Sequence, residues 1–215
     1  MSKLTVASGI SALLMAASFS PHSSVVEESA TTPPDRIVIE LVNVNGSGCP
    51  AGSAQVSVSP DNTAFTVTYS NYMALAGPGT QPTDFRKNCQ IALNVHVPQG
   101  FTYAIAQADY RGFAHLERGA TGLQRANYYF QGMSQTAFVN HNLNGPVDDS
   151  WQNTDVTEIE SLIYSPCGAQ RNFNINTELR VNAGTSNPKS VSFMSMDSTD
   201  GSLNTLYHFA WKKCP

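Results

Sequence analysis

The polar residues of this chain that most suggest chemistry lie close together, in Asp109-Tyr110-Arg111-Gly112 and in the His115 and Glu117 that follow. Alternate residues of a β-strand face the same way, so Asp109, Arg111, His115 and Glu117 could share one side of a bent strand. A carboxylate, a guanidinium and an imidazole together can perform general acid–base catalysis or hold an anionic substrate. Asp109 and Arg111 could equally form cross-strand ion pairs that fix the register of a sheet. We favour this structural interpretation.

A second set of polar residues suggests binding rather than catalysis. Asn172, Asn174 and Asn176 alternate along one predicted strand, and Gln90 and Asn94 do so along another. Amides offer hydrogen-bond donors and acceptors together, which suits the hydroxyl groups of sugars. The more common interpretation is that such residues form the solvated face of a sheet, with nearby aromatic residues in the core. The aromatic residues that could stack on a sugar ring are Tyr128, Tyr129, Trp151 and Tyr164.

Metal and cofactor sites are not indicated by the sequence. His96, His141 and His208 lie on separate predicted strands or strand ends, where histidines are usually just solvated. The pair Asp148-Asp149 and the aspartates of 197–201 do not have the spacing of an EF-hand loop. No GxSxG, HExxH, P-loop or GxGxxG motif occurs in the structural context that it would need. We therefore predict no metal and no cofactor.

The four cysteines, Cys49, Cys89, Cys167 and Cys214, indicate disulfides. An even number of cysteines in an exported chain is typical of an oxidising, extracellular setting, and no CxxC or HxxxH spacing supports zinc. The most economical pairing joins Cys49 to Cys89 and Cys167 to Cys214. These bonds close loops of about 41 and 48 residues, each worth ~4 kcal/mol in the chain-entropy model. The sequence alone leaves the other two connectivities open.

The amino-terminal segment predicts export. Lys3 precedes an uncharged stretch, Leu4–Ala17, that is too short to span a bilayer. We assign residues 1–18 to a signal peptide and residues 19–35, which are rich in Ser, Thr and Pro, to a flexible lead-in. Residues 36–215 then form a single domain. No later stretch is apolar enough to span a membrane, so we expect a mature protein without a membrane anchor.

Apolar and polar residues alternate along much of the chain, a period typical of strands with one buried face. The clearest runs are Gln90–Val97, Asn172–Val181 and the segment from Leu203 to Trp211. Weaker alternation occurs at Arg36–Val44, Ala54–Ser59, Ala64–Tyr69, Phe101–Gln107, Tyr128–Val139 and Val191–Asp197. Turn-forming residues, such as Ser59-Pro60-Asp61-Asn62, separate the runs. The pattern predicts an all-β fold, an antiparallel β-sandwich of nine or ten strands with two disulfides.

Several segments resemble a known family. They are Gly48-Cys49-Pro50-Ala51-Gly52-Ser53, Arg86-Lys87-Asn88-Cys89-Gln90-Ile91, Val97-Pro98-Gln99-Gly100-Phe101, Ala108-Asp109-Tyr110-Arg111-Gly112, Tyr128-Tyr129-Phe130, Ser165-Pro166-Cys167-Gly168 and Trp211-Lys212-Lys213-Cys214. On these residues the chain, over roughly 40–214, resembles the DUF4360 family of small exported proteins of fungi and bacteria, which has no assigned function. The resemblance implies export and the four-cysteine framework. It implies no reaction and supplies no catalytic residues.

The net charge of the chain and the distribution of its basic residues indicate which classes of partner it can bind. The net charge is −4 and 13% of residues are charged, with no basic run, which argues against nucleic acid as a partner. We expect a secreted, extracellular, monomeric protein that acts without catalysis by binding a glycan or cell-wall polymer. The alternative is a hydrolase of an extracellular polymer that uses Asp109, Arg111, His115 and Glu117.

Asn45-Gly46-Ser47 is an N-glycosylation sequon in a predicted loop, so Asn45 is a candidate for glycosylation in a eukaryotic host.

Overall fold

The computed structural model describes residues 32–33, 35–134, 138–196 and 205–215. Within this part of the chain nearly all regular structure is β, and two antiparallel sheets pack against each other. The predicted all-β sandwich is therefore confirmed. The helical part of the described chain is a 3₁₀ turn at Ile159–Ser161, and no helix there is long and apolar enough to cross a membrane. The predicted signal peptide, most of the lead-in, the turn at 197–201 and Leu203 lie outside the described residues.

Twelve strands occur in the described residues, where the sequence predicted nine or ten. They are β1 (Val38–Asn45), β2 (Ala54–Val58), β3 (Ala64–Tyr69), β4 (Met73–Ala76), β5 (Arg86–His96), β6 (Phe101–Leu116), β7 (Thr121–Phe130), β8 (Val139–Asn144), β9 (Val147–Val156), β10 (Phe173–Asn182), β11 (Ser192–Ser195) and β12 (Thr205–Lys213). The first sheet has the order β1-β5-β10-β7-β8. The second has the order β2-β3-β12-β6-β11-β4, and β9 pairs with the other side of β6.

The longest strand, β6, organises the second sheet. One of its edges pairs with β12 and then with β11, while its other edge pairs with β9 from Gln107 to Leu116. On the side that faces the first sheet, β6 presents small residues, among them Ala108, Gly112 and Ala114, all of which are buried. Bulky neighbours pack against these small residues, and the ring of Trp151 lies next to Gly112.

Three differences from the predicted strands have a physical cause. The prediction ended β6 at Gln107, because small inward residues hide the alternation beyond that point. It omitted β9, whose inward positions include the polar residues Asn153 and Asp155. It also joined Tyr128–Val139 into one strand, whereas β7 ends at Phe130 and β8 begins at Val139. Hydrophobic periodicity finds a strand only when its buried face is apolar and large.

The core between the sheets is rich in tyrosine. The largest fully buried side chains include Tyr69, Tyr72, Tyr103, Tyr110 and Tyr207, and burial raises the pKa of each phenol above its ordinary value. Their rings make edge-on and stacked contacts with one another and with neighbouring phenylalanines. These phenols therefore stay protonated at neutral pH and act as packing groups.

Two disulfides hold the sandwich, and their pairing is the one that the sequence favoured. Cys49 is joined to Cys89, and both residues are buried in the core. Cys167 is joined to Cys214 near the end of β12. The first bond ties the loop after β1 to β5 of the first sheet. The second ties the segment before β10 to the residue that follows β12, so each disulfide fixes an irregular connection to a strand or its end.

One irregularity interrupts the edge of the first sheet. β1 pairs with β5 from Val38 to Asn45, but the register shifts between Leu41 and Asn43, which marks a β-bulge. The side chains of Val38 and Val42 are each 53% exposed on this edge strand.

Candidate functional site

The outer face of the first sheet carries side-chain amides on adjacent strands. The register places Asn45 of β1, Gln90 of β5, Asn176 of β10 and Asn127 of β7 side by side in a row across the sheet. Neighbouring strands lie ~4.8 Å apart, so the row extends over ~14 Å. We call the outward amides of this sheet the amide face, and its members are Asn43, Asn45, Gln90, Asn94, Asn127, Asn174 and Asn176.

Strand alternation turns these amides outward. Ile91 of β5 and Ile175 of β10 are fully buried between the sheets, so the residues next to them in sequence must face away from the core. Asn45 and Gln90 are exposed and Asn176 is half-buried, whereas Asn127 is only 1% exposed. A ligand on the amide face would therefore reach the side chains of Asn45, Gln90 and Asn176 first.

The three residues of the predicted asparagine ladder differ in accessibility. Asn172, which precedes β10, is half-buried, as is Asn176, whereas Asn174 is 8% exposed. The amide nitrogen of Asn174 donates a hydrogen bond to the main-chain oxygen of Asn172 at 3.3 Å. Asn174 is thus partly committed within the protein, while Asn176 keeps its amide near solvent.

One aromatic ring borders the amide face. Tyr129 of β7 lies opposite Asn174 and is half-buried, and its hydroxyl accepts a hydrogen bond from Nε2 of Gln90 at 3.3 Å. It also lines a small apolar cleft with Ile105 and Ile163. Tyr129 therefore presents a ring and a hydroxyl beside the amides, a combination that suits the apolar face and the hydroxyl groups of a sugar.

Two other aromatic candidates lie inside the sandwich. Trp151 faces inward from β9, is 7% exposed and packs against Gly112. Tyr128 faces inward from β7, where its hydroxyl hydrogen-bonds to the hydroxyl of Tyr110 and donates to Oδ2 of Asp155 at 3.0 Å. These two rings fill the interior and are not part of the amide face.

A charged cluster continues the same surface along β10. Glu178 accepts hydrogen bonds at Oε2 from Nε of Arg86 at 2.6 Å and from Nη2 of Arg125 at 3.1 Å. Its Oε1 accepts one from Nη2 of Arg180 at 2.7 Å. Burial raises the pKa of Glu178, but the three arginines outweigh it and hold that pKa below its ordinary value. The carboxylate is therefore ionised at neutral pH. We call these four residues the arginine cluster.

Asp109, Arg111 and His115 share the outer face of the second sheet, as their spacing suggested, but they do not converge. Asp109 accepts hydrogen bonds from Thr154 Oγ1 at 2.6 Å and from His208 Nε2 at 3.0 Å. His115 lies six residues further along β6, a distance of ~20 Å in an extended strand. Arg111 lies between them, and its Nε is buried without a hydrogen-bond partner among the described residues.

His115 has a separate environment at the end of β6. Its Nδ1 lies 3.0 Å from Oδ1 of Asp148 on the neighbouring strand, and its Nε2 lies 3.8 Å from Oε1 of Glu117. The imidazole ring stacks on Phe193 of β11, with 5.7 Å between ring centroids. His115 and Glu117 are about one-third exposed, so this group is a surface ion-pair cluster.

Each histidine in the described part of the chain pairs with a carboxylate. The pairs are His96 with Glu40 at 3.1 Å, His115 with Asp148 at 3.0 Å, His141 with Asp155 at 2.6 Å and His208 with Asp109 at 3.0 Å. The four pairs lie in different places, and the described residues contain no group of three or more His, Cys, Asp or Glu that could hold a metal ion.

The sequence did not reveal the pairing of His141 with Asp155. These residues come from β8 and β9 and face the interior, where Tyr128 of β7 and Tyr110 of β6 complete a hydrogen-bonded chain between the two sheets. No spacing could indicate this group, because β9 was not predicted and the facing of two sheets is a tertiary property. Its position suits a structural connection between the sheets.

The hydrogen bonds to Asp109 predict a pH-dependent stability. Burial raises the pKa of Asp109, but hydrogen bonds from Thr154, Gln107 and His208 outweigh it and lower that pKa below the ordinary 3.8. Ionised Asp109 therefore contributes its full stabilisation of the fold at pH values above the ordinary pKa of 3.8. This contribution is lost as the pH falls through the lower pKa of the folded state. Asp109→Asn should lower the free energy of unfolding by about 1–3 kcal/mol at pH 7. Urea unfolding at a series of pH values should show that the difference in this free energy between the unmodified protein and the variant shrinks below about pH 4.

Asp148→Asn is the matched control for this measurement. Asp148 also accepts from a histidine, but its side chain is 71% exposed, so its removal should cost less than about 0.5 kcal/mol. An Asp109→Asn deficit that stayed constant from pH 7 to pH 3 would contradict the role assigned to the ionised carboxylate.

The sequon residue Asn45 lies at the end of β1, on the rim of the amide face, and is exposed. Oγ of Ser47 donates a hydrogen bond to Oδ1 of Asn88 at 3.1 Å. A glycan on Asn45 would project from the same surface as Gln90. Glycosylation of Asn45 stays a prediction.

Comparison with known proteins places the chain among proteins of unassigned function. The family described as a domain of unknown function (DUF4360) matches residues 35–214. A protein of Arthroderma benhamiae described as an "Uncharacterized secreted protein" is 35% identical over 181 residues, which cover 84% of this chain and 73% of the relative.

A solved structure, the enzymatically active domain of tailspike protein 4 of bacteriophage CBA120, is similar over 83% of this chain. This chain spans 19% of that one, with 9% identity and a TM-score of 0.25. A similarity of that size carries no argument about function.

Proposed function

The chain belongs to the DUF4360 family, and on that premise we propose that it is a secreted protein that binds extracellular polysaccharide through the amide face. Secretion is supported by the two disulfides, which persist in oxidising compartments. It is also supported by the description of the fungal relative as secreted.

The observation that carries the proposal is the row of accessible amides across three strands, β1, β5 and β10. Asn45, Gln90 and Asn176 present donors and acceptors on a face with one bordering ring, Tyr129. An extended polymer needs repeated, shallow contacts rather than one deep pocket, and the outer face of a sheet supplies contacts at the regular strand spacing. Strands also hold these side chains on a rigid backbone, which reduces the entropy lost on binding.

The alternative hypothesis, a hydrolase, has less support. A hydrolytic site must bring its acid, base and positioning groups to one bond. Asp109 and His115 are separated by ~20 Å along β6. The low pKa of Asp109 also keeps it ionised, which does not suit a general acid at neutral pH. We therefore propose binding.

The test is a binding screen against insoluble chitin, cellulose and β-1,3-glucan and against soluble polygalacturonate. We expect saturable binding to at least one polymer. Replacing both Gln90 and Asn176 by alanine should weaken it, by about fivefold for each hydrogen bond lost. Gln152→Ala is the matched control, because Gln152 is an exposed amide on β9, on the outer face of the other sheet.

The control variant should bind within about twofold of the unmodified protein, since Gln152 would make no ligand contact. Binding that is equally reduced by Gln152→Ala, or unaffected by the double substitution, would move the site away from the amide face. No binding to any of the four polymers would overturn the proposed function.

A further inference from the structure

We propose that the arginine cluster is a binding site for an acidic group, and that the polysaccharide bound by this protein is therefore a polyuronate or a chemically similar polyanion. The inference rests on the proposed function and names the class of polymer. The residues that support it are distant in the sequence and meet through strand pairing: Arg86, Arg125, Arg180 and Glu178.

The cluster holds more positive charge than its own residues neutralise. Three guanidinium groups surround one carboxylate, which leaves two positive charges in excess in a chain whose net charge is −4. Asp84, the acidic residue nearest to Arg86 in sequence, is paired with Lys87 at 2.9 Å. Unneutralised cations at close range repel each other, so the arrangement costs stability unless an anion joins it.

A single ion pair would be enough to fix the register of these strands. One arginine opposite Glu178 would join β10 to either neighbour, and Arg125 already does so from β7. The additional Arg86 and Arg180 lie opposite each other on β5 and β10, a position where like charges destabilise a sheet. Their placement is explained better by a ligand than by register.

Two of the three arginine side chains of the cluster are accessible, whereas the guanidinium of Arg125 lies over the ring of Phe138. The side chains of Arg86 and Arg180 are 45% and 41% exposed, while Glu178 beneath them is 4% exposed. The Nε atoms of Arg125 and Arg180 are buried and lack a hydrogen-bond partner within the described ranges. Arg180 also borders an open groove with Phe85. An acidic group in this groove would reach the exposed part of the Arg180 side chain, whereas the two buried Nε atoms lie out of its reach.

Guanidinium geometry favours a carboxylate, phosphate or sulfate as the ligand. The planar fork of arginine donates two parallel hydrogen bonds to such groups and pairs less well with a neutral hydroxyl. Glu178 keeps the three forks in place by accepting from each of them. The arrangement resembles a built anion site with a buried carboxylate as its support.

The cluster also lies where a bound polymer would extend. Arg180 is four residues beyond Asn176 on β10, and Arg86 is four residues before Gln90 on β5, a distance of ~13 Å along each strand. A polymer that contacts Asn176 and Gln90 can therefore place an acidic substituent on Arg86 or Arg180. A neutral polymer would lack the acidic substituent that these guanidinium groups bind best.

The test compares polygalacturonate with neutral dextran in the same low-salt buffer, using the full mature protein. We expect polygalacturonate to bind at least about tenfold more tightly, because charge-assisted hydrogen bonds exceed neutral ones by about this factor. Arg86→Gln/Arg180→Gln should remove that advantage and leave any dextran binding unchanged. Arg125 still pairs with Glu178 in this variant, so the fold should persist, and circular dichroism checks it.

The matched control is Arg36→Gln, which removes an exposed arginine near the opposite end of β5. Arg86→Lys/Arg180→Lys provides a second test, because it keeps the charge but loses the planar fork and should lose part of the advantage. Dextran sulfate in a parallel arm distinguishes a sulfate from a carboxylate ligand.

Separate outcomes identify separate failures. Equal binding of polygalacturonate and dextran, or an equal loss in Arg36→Gln, would overturn the anion site while polysaccharide binding stands. If no polymer binds, the proposed function fails. The anion site is then judged by thermal unfolding with added galacturonate oligomers, which should raise the Tm of the unmodified protein but not that of Arg86→Gln/Arg180→Gln. No difference between these two proteins would overturn the site by itself.

Discussion

A chain in which Gly112 is replaced by alanine should lose about 3 kcal/mol of its free energy of unfolding, at the upper end for overpacked substitutions. A Cβ atom at this position would lie within 3.0 Å of the main-chain oxygen of Ser195 and of the ring of Trp151. Neither group can move easily, because Ser195 belongs to β11 and Trp151 is buried. For a protein of this size the expected fall in Tm is about 10 °C.

Thermal and urea unfolding of Gly112→Ala provide the measurement, and Gly52→Ala is the control. Gly52 has a φ of +83° and no atom within 4 Å of an added Cβ, so alanine there adds only backbone strain, about 1–2 kcal/mol. If Gly112→Ala costs no more than Gly52→Ala, the close packing of β6, β11 and Trp151 described above is incorrect.

Removing the buried disulfide should have a comparably large effect. Replacing Cys49 and Cys89 by alanine opens a loop whose ends are 40 residues apart in sequence, which costs ~4 kcal/mol through the entropy of the unfolded chain. The two sulfur atoms also leave space in the core, because both residues are buried. We expect the double variant to be largely unfolded at physiological temperature, as monitored by near-ultraviolet circular dichroism.

The second disulfide is the comparison. Cys167 and Cys214 are 47 residues apart, so the entropic cost of opening that loop is also ~4 kcal/mol. Cys167 is exposed, so its replacement by alanine loses little packing. The Cys49/Cys89 variant should therefore be the less stable of the two by about 1 kcal/mol. If the Cys167/Cys214 variant were the less stable of the two, the segment before β10 would depend on its disulfide more than the core does.

Sequence reasoning found the strands whose buried faces are large and apolar. Ile91 and Leu93 in β5, and Phe173 and Ile175 in β10, alternate with polar residues and are buried in the structure. Reasoning from periodicity missed β9 and shortened β6, because several inward positions of those strands are small, such as Gly112 and Ala114, or polar, such as Asn153 and Asp155. Gly112 illustrates the limit: it belongs to a segment that drew attention for its charged residues, yet its importance is steric and depends on Trp151 and Ser195.

The candidate site was only partly predictable for a related reason. Gln90, Asn94 and the asparagines of β10 are visible as polar positions of two alternating runs. The register of the strands places Asn45 and Asn127 in line with this row. It also brings Arg86 and Arg125 next to Glu178. Register is fixed by pairing partners distant in the sequence, and a shift of one residue would turn each of these side chains to the core.

The bulge in β1 bears on self-association. An edge strand with exposed valines, such as Val38 and Val42, offers its free backbone groups to a second chain. The shift between Leu41 and Asn43 breaks the regular sequence of donors and acceptors along that edge. An approaching strand could pair on one side of the bulge but not continue across it. The irregularity therefore protects the sheet from lengthening into an intermolecular stack.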